Sequence, residues 1–277
     1  MHSRLTLATR RNAAGQTVLG SCFYTPPIKI LTLPNTHING ERDTLAAIQM
    51  SSSPGLLAGD TINIDIHLTA DTRLKLFTQA FTRIQAMPNG GEAQQHIHIQ
   101  LDSGSRLYYL PHPLVLHTDA ALTQNTEIAL TDNCILMLGE IIACGRVLNG
   151  EYWHFRHLSS HVHIHHNQRL ILADNTQWQP QQQALNVIGQ MEHFSHQACL
   201  YYVHTGCNAV HIRELANRLH EALLLHWQEH HHDYLWGVSQ ASSHALCLRA
   251  LALQAQTLQQ LLEQAAAWLR RHDADTV

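Results

Sequence analysis

Apolar residues two positions apart recur from residue 1 to about residue 207, and that spacing admits few folds. Ile62, Ile64, Ile66 and Leu68 alternate with Asn63, Asp65 and His67. Ile97, Ile99 and Leu101 do so against His96, His98 and Gln100, and Val162 and Ile164 against His161, His163 and His165. A period of two places successive side chains on opposite faces of a strand, one face buried and one wet. Turn-forming residues punctuate these runs at Pro54–Gly55, Asn89–Gly90–Gly91, Asp102–Ser103–Gly104 and Asn149–Gly150. The last lies between two strand-like runs and is predicted to close a hairpin. Many short strands predict a mainly β body, with a β-helix, stacked sheets or a sandwich all open on periodicity alone.

The period changes near the C-terminus. Val210, Leu215, Leu219, Leu223 and Trp227 follow helical spacing, which predicts a helix from about Val210 to Glu229 with Asn208 as its N-cap. Tyr234–Gln240 and Ala245–Ala252 read as a strand pair around Ser242–Ser243. A second helix is predicted from Gln254 to Arg271, with Leu258, Leu261, Leu262, Ala265 and Leu269 on one face. Arg270 and Arg271 suit the negative end of its dipole. No Pro-, Gly- or Ser-rich linker separates the parts. The expectation is one domain over 1–277, a β body of 1–207 with a helix–hairpin–helix of 208–277 packed on it.

Composition removes several function classes. The net charge of -4 lacks the basic excess of a general nucleic-acid binder or of a polybasic membrane anchor. Lysine occurs only at Lys29 and Lys75, neither in a phosphate-binding G-x-x-x-x-G-K loop. Lys75, between Leu74 and Leu76, is expected to point to solvent. The 6 cysteines form no C-x-x-C pair and read as buried, reduced thiols of a cytoplasmic protein. No apolar leader follows Met1, and the most apolar stretch, Cys134 to Cys144, is far short of the ~20 residues of a membrane span. A soluble cytoplasmic chain is expected. G-x-S-x-G, G-x-G-x-x-G, EF-hand and H-E-x-x-H patterns are all absent, so no nucleophile with its base is marked and no enzyme is expected.

Two kinds of residue carry chemistry. The first is histidine, at 24 of 277 residues. His161, His163 and His165 would share one strand face, as would His96 and His98; His226 and His230 would share a helix face. Neutral imidazoles so spaced can bind Ni²⁺, Zn²⁺ or Cu²⁺ weakly, or can serve as polar surface in a lysine-poor chain. The second kind is the carboxylate in apolar company. Asp60 shares the inward parity of Ile62, Ile64 and Ile66. Glu140, in Leu136–Met137–Leu138–Gly139–Glu140–Ile141–Ile142, is predicted to be buried. A buried carboxylate must be paired or protonated, and Arg146, across a bend at Gly145, is its expected partner. A structural ion pair and a polar, cation-contacting interior are both open here.

Six segments, in order along nearly the whole chain, resemble the UreD (UreH) family of urease accessory proteins. They are Phe23–Tyr24–Thr25–Pro26–Pro27; Ser53–Pro54–Gly55–Leu56–Leu57–Ala58–Gly59–Asp60; Thr78–Gln79–Ala80–Phe81–Thr82–Arg83–Ile84; Leu110–Pro111–His112–Pro113; Gly139–Glu140 through Gly145–Arg146; and the hairpin Gly237–Val238–Ser239 with the final helix. The chain departs from the family pattern at Leu56, where a second glycine is usual, and at Ser242–Ser243.

The resemblance implies a β-helix-like or stacked-sheet body with C-terminal helices and no catalysis. It implies binding to UreF, through it to the GTPase UreG, and contact with apo-urease. It implies no tightly bound cofactor, nickel being cargo that moves along a polar interior route. Asp60, Thr78, Gln79, Glu140 and Arg146 fall in the matching segments and are the candidates for that passage. Leu223, Trp227, Trp236 and Trp268 are candidate anchors for a partner. A stand-alone histidine-based nickel or zinc buffer is the competing reading.

Overall fold

The computed structural model describes residues 1–33 and 43–273. The chain winds between two sheets in stacked coils, in the manner of a β-solenoid. β1 (His2–Arg11) and β2 (Thr17–Tyr24) form an antiparallel pair at one edge of a 7-stranded sheet. β3 (Ile28–Leu33) and β4 (Thr44–Ser51) do the same at one edge of an 11-stranded sheet. The chain then crosses repeatedly. β5 (Thr61–Leu68), β8 (Ala93–Leu101), β11 (Ala121–Leu130) and β13 (His157–His166) lie parallel in the smaller sheet, continuing from β1. β6 (Arg73–Gln79), β9 (Arg106–Leu110) and β12 (Ile135–Ala143) lie parallel in the larger sheet, continuing from β4. Short β7 (Thr82–Ile84) and β10 (Leu114–Leu116) make a ladder along one corner. β14 (Arg169–Trp178) and β15 (His196–His204) turn antiparallel and end the coils.

Parallel, in-register strands stack like residues from coil to coil. Leu7, Ile66, Ile99, Ile128 and Ile164 form one inward rung of the smaller sheet. Leu45, Leu74, Leu107, Leu136 and Val203 form a rung of the larger sheet within the same core between the layers. The turns between coils are tight. Gly104 has φ +72°, and a Cβ there would lie 2.2 Å from Asp71 Oδ1, so the coil corner needs glycine.

The C-terminal segment extends the larger sheet and covers its outer face. β17 (Tyr234–Gln240) and β18 (Ala245–Ala252) pair as predicted, and β18 adds to β15; β16 (His230–His231) closes the edge. α1 (Ala209–Leu224) and α2 (Ala255–Asp273) pack Leu215, Leu219, Leu258, Leu261 and Leu262 against Ile135, Met137 and Ile141. The 134–144 stretch is therefore apolar on both faces because one faces the inter-sheet core and the other lies under the helices. A Cβ at Gly139 would sit 2.7 Å from Leu110 Cδ2 and 3.5 Å from Leu262 Cδ1. Asn208 caps α1, accepting from the His211 amide at 3.0 Å.

Several expectations are corrected. Asn149–Gly150 closes no hairpin: Val147–Asn149 is a single 3₁₀ turn, and the strands before and after it belong to different sheets. α1 stops at Leu224 and not at Glu229. The amides of His226 and Trp227 both return to the Leu223 carbonyl, at 3.0 and 2.8 Å. The turn brings the Trp227 ring edge-on to Tyr234 and its Nε1–H to Gln264 Oε1 at 2.7 Å. His226 and His230 consequently share no helix face. Lys75 is buried, 4% exposed, beside the buried Tyr108 in the ladder. Among the described residues no helix is long and apolar enough to cross a membrane.

Candidate functional site

A polar row lies four residues along the same strands. In the smaller sheet the inward row is Ser3, Ile62, Gln95, Gln124 and Ser160. In the larger sheet Gln49 pairs with Thr78, and Glu140 with Cys199, which pairs with Arg249. Between these rows is a cavity of about 60 Å³ lined by Gln49, Thr78, Gln95, His112, Gln124 and Glu140.

Glu140 is its centre. Oε1 accepts from Gln124 Nε2 at 2.6 Å and from Ser160 Oγ at 3.0 Å. Gln124 is itself held, its Oε1 accepting from Gln95 Nε2 at 3.1 Å. Burial raises the Glu140 pKa above the ordinary carboxylate value; the hydrogen bonds from Ser160 and Gln124 oppose that rise and the charge of Asp174 adds to it. Among the described residues no cationic side chain bonds to it.

Thr78, buried, accepts the His112 amide at 2.7 Å, with His112 Nδ1 at 3.4 Å. The carboxamide oxygen of Gln49 is buried with no hydrogen-bond partner among the described residues. Such an atom marks a place where water or an ion has a reason to sit.

The polar row continues to the open edge of the solenoid. Cys199 and Cys247 lie diagonally across β15 and β18, both buried. Their mutual hydrogen bond, then burial, raise the Cys199 pKa. Beyond them Asp174 of the edge strand β14 accepts from Tyr201 Oη at 2.6 Å and from Arg249 Nη2 at 2.5 Å. That pair borders a cleft of about 640 Å³ whose lining includes Asn175, Gln197, Trp236 and Arg249.

The five passage candidates separate in space. Thr78 and Glu140 meet at the cavity. Asp60 is buried before β5, where Oδ1 accepts from the Met1 ammonium and Oδ2 from the Leu57 amide, each at 2.8 Å. Its carboxylate fixes the start of the first coil and does not line the cavity. Gln79 ends β6 on the exposed side. Arg146 does not reach Glu140; it forks onto Glu151, with Nε 2.9 Å from Oε2 and Nη2 on Oε1. The bend at Gly145 carries the chain out of the sheet, so shared parity with Glu140 ends there.

Gln124, Ser160, Asp174, Tyr201 and Arg249 were not singled out from the sequence. For Gln124 and Ser160 the signal existed: each is in phase with inward residues, Ile128 and Leu130 for the one, Val162 and Ile164 for the other.

His161, His163 and His165 share the outer face of β13, but among the described residues no three His, Cys, Asp or Glu side chains converge as a metal site. Of the partner-anchor candidates, Leu223 and Trp236 are buried, Trp236 donating to the Gln228 carbonyl at 2.8 Å. Trp227 and Trp268 are partly buried between the helices, Trp268 stacked on His272 at 3.9 Å. The exposed apolar residues nearby are Leu224 and Leu225, the latter at 79%.

Comparison with known proteins places the chain in a family. The family model described as UreD urease accessory protein matches residues 1–276. A urease accessory protein UreD from Actinobacillus pleuropneumoniae serotype 7 is 46% identical over 263 residues, covering 95% of each chain. One from Haemophilus influenzae (strain 86-028NP) is 42% identical over 275 residues, 98% of this chain and 99% of that one. By both measures, and over essentially its whole length, the chain belongs to the UreD family of urease accessory proteins.

Proposed function

We propose that this chain is a non-catalytic scaffold of urease maturation that conducts nickel toward apo-urease through its interior, acting in the cytoplasm in a complex with UreF and, through UreF, the GTPase UreG. One observation carries the reading: between two largely aliphatic layers one small cavity is lined at a single level by oxygen-bearing side chains, Gln49, Thr78, Gln124 and Glu140. A row of amides and hydroxyls with one carboxylate offers a divalent cation successive weak oxygen contacts, and no site so closed that the ion stays. Burial raises the Glu140 pKa, so a proton and a passing cation compete for the same carboxylate, and neither is held there permanently. Asp60 and Arg146 serve this reading indirectly, Asp60 by holding the start of the first coil and Arg146 by tying Glu151 beside the bend at Gly145.

The test is coexpression with a urease operon. Glu140→Leu is expected to leave the chain folded and bound to UreF while urease nickel content and activity fall severalfold. Full nickel loading would remove Glu140 from the route. Co-elution of the chain with UreF and UreG in size-exclusion chromatography tests the partners separately; separate elution of folded components would remove the scaffold reading.

A further inference from the structure

The outer face of the smaller sheet carries a feature that the interior route does not use. The in-register strands align Thr6, Asp65, His98, Glu127, His163 and Ala173 in one row across the sheet. Two residues along, the next row is Ala8, His67, Gln100, Ala129 and His165. Acid and imidazole thus alternate in the first row, while the small side chains Ala8 and Ala129 in the second leave a depression of about 570 Å³ bordered by His67, His98, Glu127 and His165.

Glu127 stands at the centre of this surface. Its Oε1 lies 2.7 Å from His163 Nδ1, and its Oε2 lies 3.9 Å from His165 Nδ1. At His163 the carboxylate on Nδ1 fixes the tautomer that leaves Nε2 as a lone-pair donor and raises its basicity, the arrangement found behind metal-bound histidines; His165 is within ion-pair distance of Glu127 but beyond hydrogen-bond reach. His98 flanks Glu127 from the other side, one strand spacing away. The neighbouring His161 is different: Nε2 meets Ser159 Oγ at 2.8 Å and Nδ1 meets Asn175 Oδ1 at 2.9 Å, so both nitrogens are engaged. His67 is tied to Asp102 at 2.9 Å.

We propose that His163, His165 and His98, oriented around Glu127, form an open surface site that captures a borderline divalent transition-metal ion. Imidazole donors select Ni²⁺, Zn²⁺ or Cu²⁺ over Mg²⁺ or Ca²⁺. The three side chains do not converge in the ion-free arrangement; they close on the ion by rotation over the alanine-floored depression, so the site is labile and exchanges its ion readily. It is separated from the interior row by the thickness of the sheet, and its existence is independent of the nickel route proposed above.

The test uses the full chain and NiCl₂ alone, by calorimetric titration. The His98→Ala/His163→Ala/His165→Ala variant is expected to lose one equivalent of nickel. Glu127→Ala is expected to weaken that equivalent by about tenfold to a hundredfold, as loss of an orienting partner does. Replacing His230, His231 and His232 by alanine, at the edge of the other sheet, is expected to leave it intact. An unchanged isotherm in the first variant overturns the proposal. Should that variant not fold, nickel-induced line broadening of histidine imidazole resonances in the unaltered chain decides. Early selective loss of His98, His163 and His165 supports the site, and uniform loss across the histidines overturns it.

Discussion

Two inward rows of the same strands, only a few residues apart, have opposite characters. The row of Leu7, Ile66, Ile99, Ile128 and Ile164 is dry, aliphatic and repeats a nearly identical side chain in every coil. The row of Gln95, Gln124 and Ser160, facing Glu140, holds amides, a hydroxyl and a carboxylate joined by hydrogen bonds of 2.6 to 3.2 Å. Both are enclosed by the same sheets, so architecture does not account for the difference. Aliphatic rungs gain free energy with each added coil by removing apolar area from water. A polar row at best recovers the hydration it loses. The first row carries the fold, and the second is retained at some cost to it.

The largest expected effect is on the dry row. Ile128→Ala removes a side chain that is 1% exposed and stacked between Ile99 and Ile164. Rigid coils cannot collapse into the space, and a loss of about 4 kcal/mol is expected, near the upper end for a buried aliphatic-to-alanine change. Chemical denaturation measures it; a loss under about 1 kcal/mol would mean that the ladder repacks and the contrast between the rows is weaker than their chemistry suggests.

Acid sharpens the comparison, because two buried titratable groups respond with opposite sign. Burial lowers the His196 pKa from 6.5 to about 4, against hydrogen bonds involving Ala252 and Leu253. The fold holds it neutral while the unfolded chain protonates, so its contribution is complete above the unfolded value and is lost as pH falls from 6.5 toward 4. That interval corresponds to about 3 kcal/mol. Glu140 has a raised pKa, so it favours the fold below the ordinary carboxylate value and disfavours it as pH rises through the folded one. His196→Gln is expected to flatten the stability profile between pH 4 and 6.5. Glu140→Gln, which keeps a polar group there without the charge, is expected to raise stability at neutral pH and leave the His196 slope unchanged. A neutral-pH loss in Glu140→Gln would mean that the carboxylate is paired and not stranded.

The dry rows were legible in the sequence because alternation reports burial directly, and the helical spacing at Leu258, Leu261, Leu262, Ala265 and Leu269 is equally direct. Glu140 was legible for the same reason, as the carboxylate in a strand with no wet face. Its partners were not. Sequence parity extends only as far as one strand, and the expected ion pair with Arg146 failed where Gly145 turns the chain away to Glu151. Gln124 and Ser160 reach Glu140 across the sandwich from strands whose alignment is set by coil register, which no local pattern contains. Lys75 differs because alternation predicts a wet face wherever a strand shows a charge, and here that position lies beside the buried Tyr108 and is itself buried. Leu223 and Trp236 have the residue types of an interface, and in the isolated chain the hairpin and helices use them to cover their own sheet.

The smallest expected change in stability is the one that separates the two rows most cleanly. In Gln124→Leu/Glu140→Leu, the central acceptor and its main donor are replaced together. Replacing one partner strands the other, whereas replacing both with apolar groups of similar volume removes the desolvation cost along with the bond. Ser160 loses an acceptor, and Gln95 loses the Gln124 oxygen but lines the small cavity and can turn into it. The double variant is therefore expected to lie within about 1 kcal/mol of the unaltered chain, against about 4 for Ile128→Ala. Its capacity to activate urease is expected to fall as far as that of Glu140→Leu alone. Equal stability with failed activation would place the polar row in service of the cargo. A large loss of stability would instead make the row part of the scaffold, held together by its hydrogen bonds, and the nickel route would then have to run elsewhere.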